Sequence, residues 1–313
     1  MIAALGAFDG FHLGHARLFE IARERALCRN DEWGVITFRP HPQALFGGTS
    51  FRYLFTESER EALGHFHRIP RFERIPFTRG LADMKPSDFL DWIGQNYGIS
   101  GLVVGDNFHF GRGRSGNCAF LQEEGVARKW SVDIVPPVRV GHENVSSTLI
   151  RQKVSIGETR AAEPLLGHPF FLSGTVVRGD QRGRELGFPT ANLSIPAEKL
   201  VPQRGVYTAA VLLEKKWHPA ALNIGFNPTF SGIRALRVEA HLISFNGDLY
   251  GRQLVVLFLN RLRGEIQFPG IQELIIRMHQ DISEADSFWR SYSTGHKERL
   301  DHLAESFWET LRD

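Results

Sequence analysis

Apolar positions in the first half of the chain change repeatedly between strand-like and helix-like spacing. Short apolar runs predict strands in "MIAALGAF", "EWGVITF", "SGLVVGDNF" and "SVDIVPPV". The intervening segments "HARLFEIARERAL", "TESEREALGHF" and "KPSDFLDWIGQNYG" place apolar residues on one face of a helix. Because strands alternate with helices, we predict a parallel sheet with helices packed on its faces.

Start and stop signals support two of these helices. Thr56 is a good N-cap, and Glu59 occupies the capping-box position three residues later. We expect Ser87 to open the next helix, which closes near Gly98.

The second half of the chain shows strand-like runs in close succession: "GTVVRG", "GVYTAAVLLE", "HPAALNIG", "LRVEAHLISF" and "RQLVVLFLNRL". A helical pattern returns only in "GIQELIIRMHQDI" and in the tail from His296 to Leu311. Short strands without interleaved helices predict an antiparallel β-barrel followed by terminal helices. Because the pattern changes near "LLGHPFFLSG", we place a domain boundary at about Leu166, giving domains 1–166 and 167–313.

Composition excludes several classes of protein. The 313 residues include 37 Lys and Arg against 35 Asp and Glu, so bulk charge favours neither a nucleic-acid nor a membrane partner. Cys28 and Cys118 make no disulfide framework, which suits a reducing compartment. The N-terminus lacks the pattern of a secretory leader, and the apolar run "LVVLFL" is too short to span a bilayer. We therefore expect a cytoplasmic protein with no nucleic-acid or membrane partner; the sequence leaves its oligomeric state open.

The stretch "GAFDGFHLGH" lies between the first predicted strand and the first predicted helix. In that position, backbone N–H groups and a helix N-terminus form an anion site. Gly14 leaves room for a phosphate, and His12 and His15 can donate hydrogen bonds to its oxygens. A turn with ordinary surface histidines is the alternative, and the stretch taken alone favours it.

Three later segments favour a nucleotide site. "VVGDNFHFG" follows a strand and ends in glycine, and "VSSTLIR" places three hydroxyl residues at a helix start with an Arg one turn later. "TFRPHP" places His41 at the carboxyl edge of the sheet, where ligands of α/β proteins bind. In this order, the four segments resemble the N-terminal half of the prokaryotic bifunctional riboflavin kinase/FMN adenylyltransferase (FAD synthetase) family. The resemblance implies the nucleotidylyltransferase version of the Rossmann-like fold.

The second half resembles the flavokinase part of the same family. The similar segments are "GTVVRGDQRGRELGFPTANL", "GVYTAAV", "NIGFNPTF", "VEAHLISFNGDLYG" and "FLNRLRGEIQF", again in the family's order. The resemblance thus extends from about Ile2 to Glu284. It implies a C-terminal riboflavin kinase barrel.

Two features of the second half suit a kinase. Thr190 and Asn192 lie two residues apart on one side of an extended segment, and both offer oxygens of the kind that Mg²⁺ prefers, although a simple turn is the alternative. Glu239 shares a strand face with His241, opposite Val238, Ala240 and Leu242; the alternative is an ordinary solvent-facing carboxylate. The resemblance implies that Thr190 and Asn192 hold the metal and that Glu239 is the base for the ribityl 5′-hydroxyl.

The resemblance implies two reactions: ATP and riboflavin give FMN and ADP, and then ATP and FMN give FAD and pyrophosphate. It assigns catalysis of the second reaction to His12 and His15. Binding of ATP and its phosphates is assigned to Gly6, Phe8, Asp9, Gly14, Gly105, Asn107, Ser146, Ser147, Thr148 and Arg151 in the first half and to Gly179, Arg182, Gly183, Gly187 and Pro189 in the second. Two alternatives remain at this point: an enzyme with one active half, and a flavin-binding regulator without turnover.

Overall fold

The computed structural model describes residues 1–47, 51–179, 183, 186–228 and 234–310. The chain forms two compact units. The first unit comprises Met1–Arg52 and Gly64–Ser147, and the second comprises Tyr53–Leu63 and Thr148–Asp313. The division into domains 1–166 and 167–313 stays a prediction.

The first unit is built on a parallel sheet, as predicted. Its strands lie in the order β3-β2-β1-β4-β5. β1 is buried throughout, and its first residue, Ile2, pairs with Trp33 on one side and Gly101 on the other. The strands are β1 Ile2–Leu5, β2 Trp33–Arg39, β3 Phe72–Pro76, β4 Gly101–Gly105 and β5 Ser131–Val135.

Helices connect these strands and supply the apolar side chains that cover the sheet. Phe89, Leu90 and Ile93 are buried against it from one such helix. That helix begins at Pro86, with Lys85 as N-cap and Gly98 as a left-handed C-cap, so Ser87 does not open it. The helices of this part of the sequence are α1 Leu13–Arg29, α2 Pro42–Gly47, α3 Glu57–Phe66, α4 Arg79–Ala82, α5 Pro86–Tyr97 and α6 Cys118–Arg128, and a small ladder joins β6 Arg139–Val140 to β7 Glu143–Asn144.

The second unit contains the predicted antiparallel barrel. In the described part of the chain, six strands close it in the order β10-β11-β12-β9-β8-β13. Each ladder is antiparallel, and β10 is buried along its whole length. The strands are β8 Phe170–Val177, β9 Ala191–Ser194, β10 Gly205–Leu213, β11 Lys216–Pro228, β12 Arg234–Leu242 and β13 Gln253–Arg263.

The C-terminal helices pack on this barrel. The indole Nε1 of Trp217 donates to the Leu300 carbonyl at 2.8 Å, and the Phe307 ring meets the Phe171 ring edge-on at 4.5 Å between centroids. The tail is therefore part of the core of the second unit. The remaining helices are α7 Ser147–Ser155, α8 Thr159–Leu166, α9 Ile271–Gly295 and α10 Lys297–Thr310. Within the described ranges, none of the helices has the length and hydropathy needed to cross a membrane.

A buried ion pair fixes the segment Tyr53–Leu63 in the second unit. The predicted capping box is present, because Thr56 N donates to Glu59 Oε2 at 2.8 Å and Glu59 N donates to Thr56 Oγ1 at 3.4 Å. Lys199 Nζ also donates to Glu59 Oε2, at 2.7 Å, and both side chains are fully buried. The other carboxylate oxygen accepts from Ser173 N at 2.6 Å. The sequence did not predict this pair.

Candidate active sites

The order of the strands places a crevice at one edge of the parallel sheet. β2 and β3 lie on one side of β1, whereas β4 and β5 lie on the other. The chain therefore adds strands in opposite directions from β1, and the switch point lies between β1 and β4. Ligands of open α/β sheets bind outside the carboxyl ends of the strands at such a point. The turn "GAFDGFHLGH" follows β1, and "GDNFHFG" begins at the end of β4. Two of the four predicted nucleotide segments therefore flank this crevice.

The turn after β1 has an unusual backbone. Phe8 and Phe11 adopt φ values of +44° and +42°, a region that costs non-glycine residues free energy. Both side chains are buried, which holds the turn in place. A Cβ at Gly14 would lie 3.0 Å from the His12 ring and 3.9 Å from the Val145 carbonyl oxygen, so the turn also approaches the residue that precedes Ser146.

His12 and His15 form one stacked pair at the start of α1. Their ring centroids are 3.6 Å apart, with 18° between the planes. His12 is the N-cap of α1, and its Nδ1 accepts from His15 N at 3.3 Å, so a neutral His12 carries its proton on Nε2. Nδ1 of His15 is buried and makes no hydrogen bond to any described residue. A buried polar atom of this kind is expected to have a partner, which points to a ligand.

Burial keeps both rings uncharged at neutral pH. Burial lowers the pKa of His12 from 6.5 to about 4. The pKa of His15 lies well below its usual value, first because of burial and then because of repulsion by His12. Neutral imidazoles can each donate one N–H to a phosphate oxygen.

The other predicted residues of the first unit lie around the same turn or at the end of β4. A Cβ at Gly6 would lie 2.9 Å from the Phe8 ring, and Asp9 is buried. A Cβ at Gly105 would lie 3.4 Å from the Asn107 side-chain oxygen. Close packing against the Phe8 ring thus leaves no room for a side chain at Gly6, whereas a Cβ at Gly105 would make an ordinary van der Waals contact.

The predicted hydroxyl cluster lies at the start of α7. Ser146 precedes this helix, Ser147 opens it, and Thr148 and Arg151 lie on its first two turns. The first turn contains no acidic residue, so no carboxylate of that turn opposes an anion at the positive end of the helix. This arrangement suits an anion.

Glu239 faces a cavity beside the barrel. Val238, Ala240 and Leu242 are buried, whereas Glu239 and His241 are half-buried on the opposite face of β12, as predicted. The cavity has a volume of about 370 Å³. Its walls include side chains of the barrel and of α9, among them Thr190, Asn223, Glu239, His241, Arg263, Leu274 and Asp281.

A second cavity of about 460 Å³ lies on the other side of Thr190. Thr190 lines both cavities, and Gly179, Pro189 and Asn192 line the second one. Asn192 pairs with Glu239 across the ladder between β9 and β12. The Cβ atoms of paired residues lie about 5 Å apart on the same face of a sheet, so Glu239 and Asn192 are neighbours on that face.

Glycines shape the loop that leads into β9. A Cβ at Gly179 would overlap the Asn192 amide, and a Cβ at Gly183 would lie 2.5 Å from the Phe188 carbonyl oxygen. Gly187 has φ +88°, where a residue with a side chain would be strained. Arg182, which was also predicted to bind phosphate, lies outside the residues that the structure describes.

Thr190 and Asn192 fit the predicted metal. Their hydroxyl and amide oxygens are hard ligands. Asn192 is half-buried on the face of β9 opposite the buried Ala191 and Leu193, and Thr190, which directly precedes β9, is half-buried too. The described residues hold no group of three His, Cys, Asp or Glu side chains suited to a metal ion. This donor set favours Mg²⁺, which binds through few protein oxygens together with substrate phosphates.

Sequence reasoning missed some residues of the first cavity. Asn223 pairs with Glu239 from β11, so amide side chains flank the carboxylate on both neighbouring strands. Asp281 on α9 is buried and accepts from Arg263 at 2.7 Å. The register of the strands places Asn223 here, and the sequence does not determine that register. An aspartate among the apolar positions of α9 was the available signal for Asp281.

Profiles of two protein families match the chain in succession. The FAD synthetase family matches residues 1–149, and the riboflavin kinase family matches residues 166–289. A bifunctional riboflavin kinase/FMN adenylyltransferase from Pseudomonas fluorescens is 34% identical over 285 residues, 91% of each protein. The protein of the same description from Escherichia coli (strain K12) is 35% identical over 292 residues, 92% of each protein.

A solved structure shares the fold. A crystal structure described as a macrolide-efflux protein from Streptococcus pneumoniae matches with a TM-score of 0.84 and 29% identity over 91% of this chain and 93% of that one. Its description concerns that protein. The resemblance inferred from the motifs of both halves is confirmed: the chain belongs to the family of bifunctional riboflavin kinase/FMN adenylyltransferases, the enzymes that make FMN and FAD.

Proposed function

We propose that adenylyl transfer takes place at the turn after β1. A phosphate oxygen of FMN attacks the α-phosphorus of ATP, the bond to the β-phosphate oxygen breaks, and pyrophosphate leaves. Neutral His12 and His15 donate N–H groups to the charge that develops on the transferring phosphate. The stacked pair with its buried, unsatisfied His15 Nδ1 supports this assignment.

The hydroxyls and Arg151 at the start of α7 are proposed to hold the leaving pyrophosphate. N–H groups and hydroxyls at a helix start bind phosphate, and a guanidinium bridges two of its oxygens. Gly6, Phe8, Asp9, Gly14, Gly105 and Asn107 are proposed to form the rest of the nucleotide pocket.

Riboflavin phosphorylation is proposed to take place at the barrel. Glu239 accepts the proton of the ribityl 5′-hydroxyl as its oxygen attacks the γ-phosphorus of ATP, and ADP leaves. The cavity beside Glu239 takes the flavin, and the cavity beside Asn192 takes ATP. The observation that carries this assignment is that Thr190 lines both cavities, because the transferred phosphate must pass between two substrates.

Thr190 Oγ1 and the Asn192 side-chain oxygen are proposed to hold Mg²⁺, while Gly179, Arg182, Gly183, Gly187 and Pro189 surround the phosphates. When bound, the ion neutralises charge on the phosphate oxygens. The two reactions are proposed to belong to residues 1–166 and 167–313. A cytoplasmic location is proposed because Cys28 and Cys118 are both free thiols.

Incubation of the purified protein with riboflavin, ATP and Mg²⁺, followed by separation of the flavins, tests the proposal. We expect FMN and FAD to form in succession, and no FMN without the metal. FMN alone would contradict the adenylyl site. Bound but unchanged riboflavin would contradict both sites and would favour a flavin-binding regulator.

A further inference from the structure

His241 is next to the proposed base, Glu239, and makes a hydrogen bond to the backbone of the segment that precedes β9. It lies two residues after Glu239 on β12, and both side chains line the first cavity. Its Nδ1 lies 2.9 Å from the Pro189 carbonyl oxygen. Because a carbonyl oxygen can only accept, Nδ1 carries a proton, and in the neutral ring Nε2 is then an acceptor.

This hydrogen bond continues the ladder beyond the end of β9. The paired residues of β9 and β12 end with Ala191 opposite Ala240. Pro189 and Thr190 precede β9, and the next residue along β12 is His241. The imidazole therefore fastens Pro189 to β12 at the point where the backbone ladder stops.

The neighbouring rings fix the orientation of the imidazole. The Phe188 ring is buried and meets the His241 ring edge-on at 6.0 Å between centroids. The Phe188 ring also packs edge-on against the His279 ring of α9, with 4.9 Å between centroids. Phe188 and the Pro189 carbonyl thus hold the His241 ring from two directions, directly beside Thr190.

We propose that His241 is a positioning residue for phosphoryl transfer, and this inference rests on the proposed kinase function of the barrel. Through the Pro189 carbonyl, His241 sets the position of Thr190 between the flavin cavity and the nucleotide cavity. It acts on the Mg²⁺ and ATP side of the reaction and does not transfer a proton. The proton of the acceptor hydroxyl goes to Glu239.

The test compares three variants in the full-length protein. His241→Leu removes the donor, His241→Asn places an amide N–H close to the position of Nδ1, and His241→Gln places one close to that of Nε2. We expect His241→Leu to lower kcat/KM for ATP and to raise the half-saturating Mg²⁺ concentration, each by about tenfold, as for the loss of one hydrogen bond. The KM for riboflavin is expected to change by a smaller factor than either of these.

Rescue distinguishes positioning from contact with the substrate. We expect His241→Asn to recover most of the ATP and Mg²⁺ dependence of the parent and His241→Gln to recover little of it. Recovery by Gln and not by Asn would overturn the proposal, because it would show that Nε2 contacts a substrate. Unchanged kinetics in His241→Leu would overturn it as well.

Two controls separate this inference from the proposed function. FAD synthesis from supplied FMN is expected to be equal in the parent and all three variants, which shows that the adenylyl site is intact. Near-UV circular dichroism and thermal unfolding check that the barrel of each variant is folded. Glu239→Gln is measured in parallel. If the parent makes FMN, Glu239→Gln does not, and His241→Leu matches the parent, then only the inference about His241 fails. If the parent makes no FMN, the proposed function fails and the inference fails with it.

Discussion

The two candidate sites hold their functional groups in opposite ways. His12 is buried and His15 half-buried at a strained turn, and burial of the two rings keeps them uncharged. Glu239 and His241 are half-buried on the outer face of β12, where they line an open cavity. Substitutions in the first site should therefore change both folding stability and catalysis. Substitutions in the second should change catalysis and leave stability nearly unaltered.

One fully buried ion pair of the second unit lies outside its candidate site. Lys199 and Glu59 form a fully buried ion pair, and neither side chain lines the two cavities around Thr190. Lys199 also donates to the carbonyls of Leu54 and Phe171. The Lys199–Glu59 pair is thus separate from the carboxylate proposed to act in catalysis.

Replacing the proposed base should give the largest effect. We expect Glu239→Gln to lower the rate of FMN formation by about 10²–10⁴, because Gln keeps the size of the side chain but cannot accept a proton. Riboflavin affinity, measured by flavin fluorescence with ADP and Mg²⁺, should stay within about twofold of the parent, and so should FAD synthesis from supplied FMN. Turnover within threefold of the parent would show that the base lies elsewhere.

Breaking the buried ion pair should give the next largest effect, on stability alone. We expect Lys199→Met to lower the free energy of unfolding by about 3–5 kcal/mol in urea titrations, since Glu59 would keep a buried, unpaired charge. The exposed Lys216→Met is the matched control and should change it by less than about 0.5 kcal/mol. The double variant Glu59→Leu/Lys199→Met should recover much of the loss. A loss in Lys199→Met as small as in the control would disprove the role of the pair.

Removing one imidazole from the stacked pair of His12 and His15 should give the third largest effect. We expect His15→Ala to lower FAD formation about 10²-fold, the usual effect of losing one donor to developing charge, while FMN formation stays near the parent rate. Circular dichroism checks that the variant is folded. Equal losses of both activities in a folded variant would refute the assignment of His15 to one reaction.

The smallest of these effects is the loss of folding stability at acidic pH through His12. The pKa of His12 falls to about 4 in the folded chain, from 6.5 when exposed, so the unfolded chain binds the proton first as the pH falls. The free energy of unfolding is therefore not reduced by His12 above pH 6.5, and it decreases through this residue as the pH falls towards 4. Between pH 7 and pH 5 we expect this residue to remove about 2 kcal/mol from the free energy of unfolding.

His12→Asn is the matched variant for this pH dependence, because Asn keeps an N-cap acceptor but does not titrate. Its free energy of unfolding should fall by about 2 kcal/mol less than that of the parent between pH 7 and pH 5. Parallel curves for the two proteins would show that His12 is not held uncharged by burial.

Strong periodicity made most of the fold predictable. The buried runs of β1, β2 and β4 and five of the six described strands of the barrel lie where the sequence predicted them, whereas β9 was not predicted as a strand. β3, with the sequence "FERIP", was missed because it is short and two of its five residues are charged. α8 was missed because Pro164 lies inside it, and proline usually ends a helix.

Contacts between residues far apart in sequence explain why the geometry of the sites could not be predicted from the sequence. Lys199 and Glu59 are 140 residues apart in sequence, so local patterns give no sign that they meet. The neighbours of Glu239 depend on strand register, which places Asn192 and Asn223 on either side of it. The motifs predicted which residues carry functional groups, but not the hydrogen bonds that orient them, such as that of His241 with Pro189.

The two reactions are proposed to use separate, independent sites, and a mixture of two variants, each inactive in one reaction, tests this independence. Purified His15→Ala and Glu239→Gln are incubated with riboflavin, ATP and Mg²⁺, each alone and then together, and FAD is measured. We predict little FAD from either variant alone and clear FAD formation from the mixture, because FMN made by the first is adenylylated by the second. Absence of FAD from the mixture, while Glu239→Gln still converts supplied FMN at the parent rate, would contradict the claim.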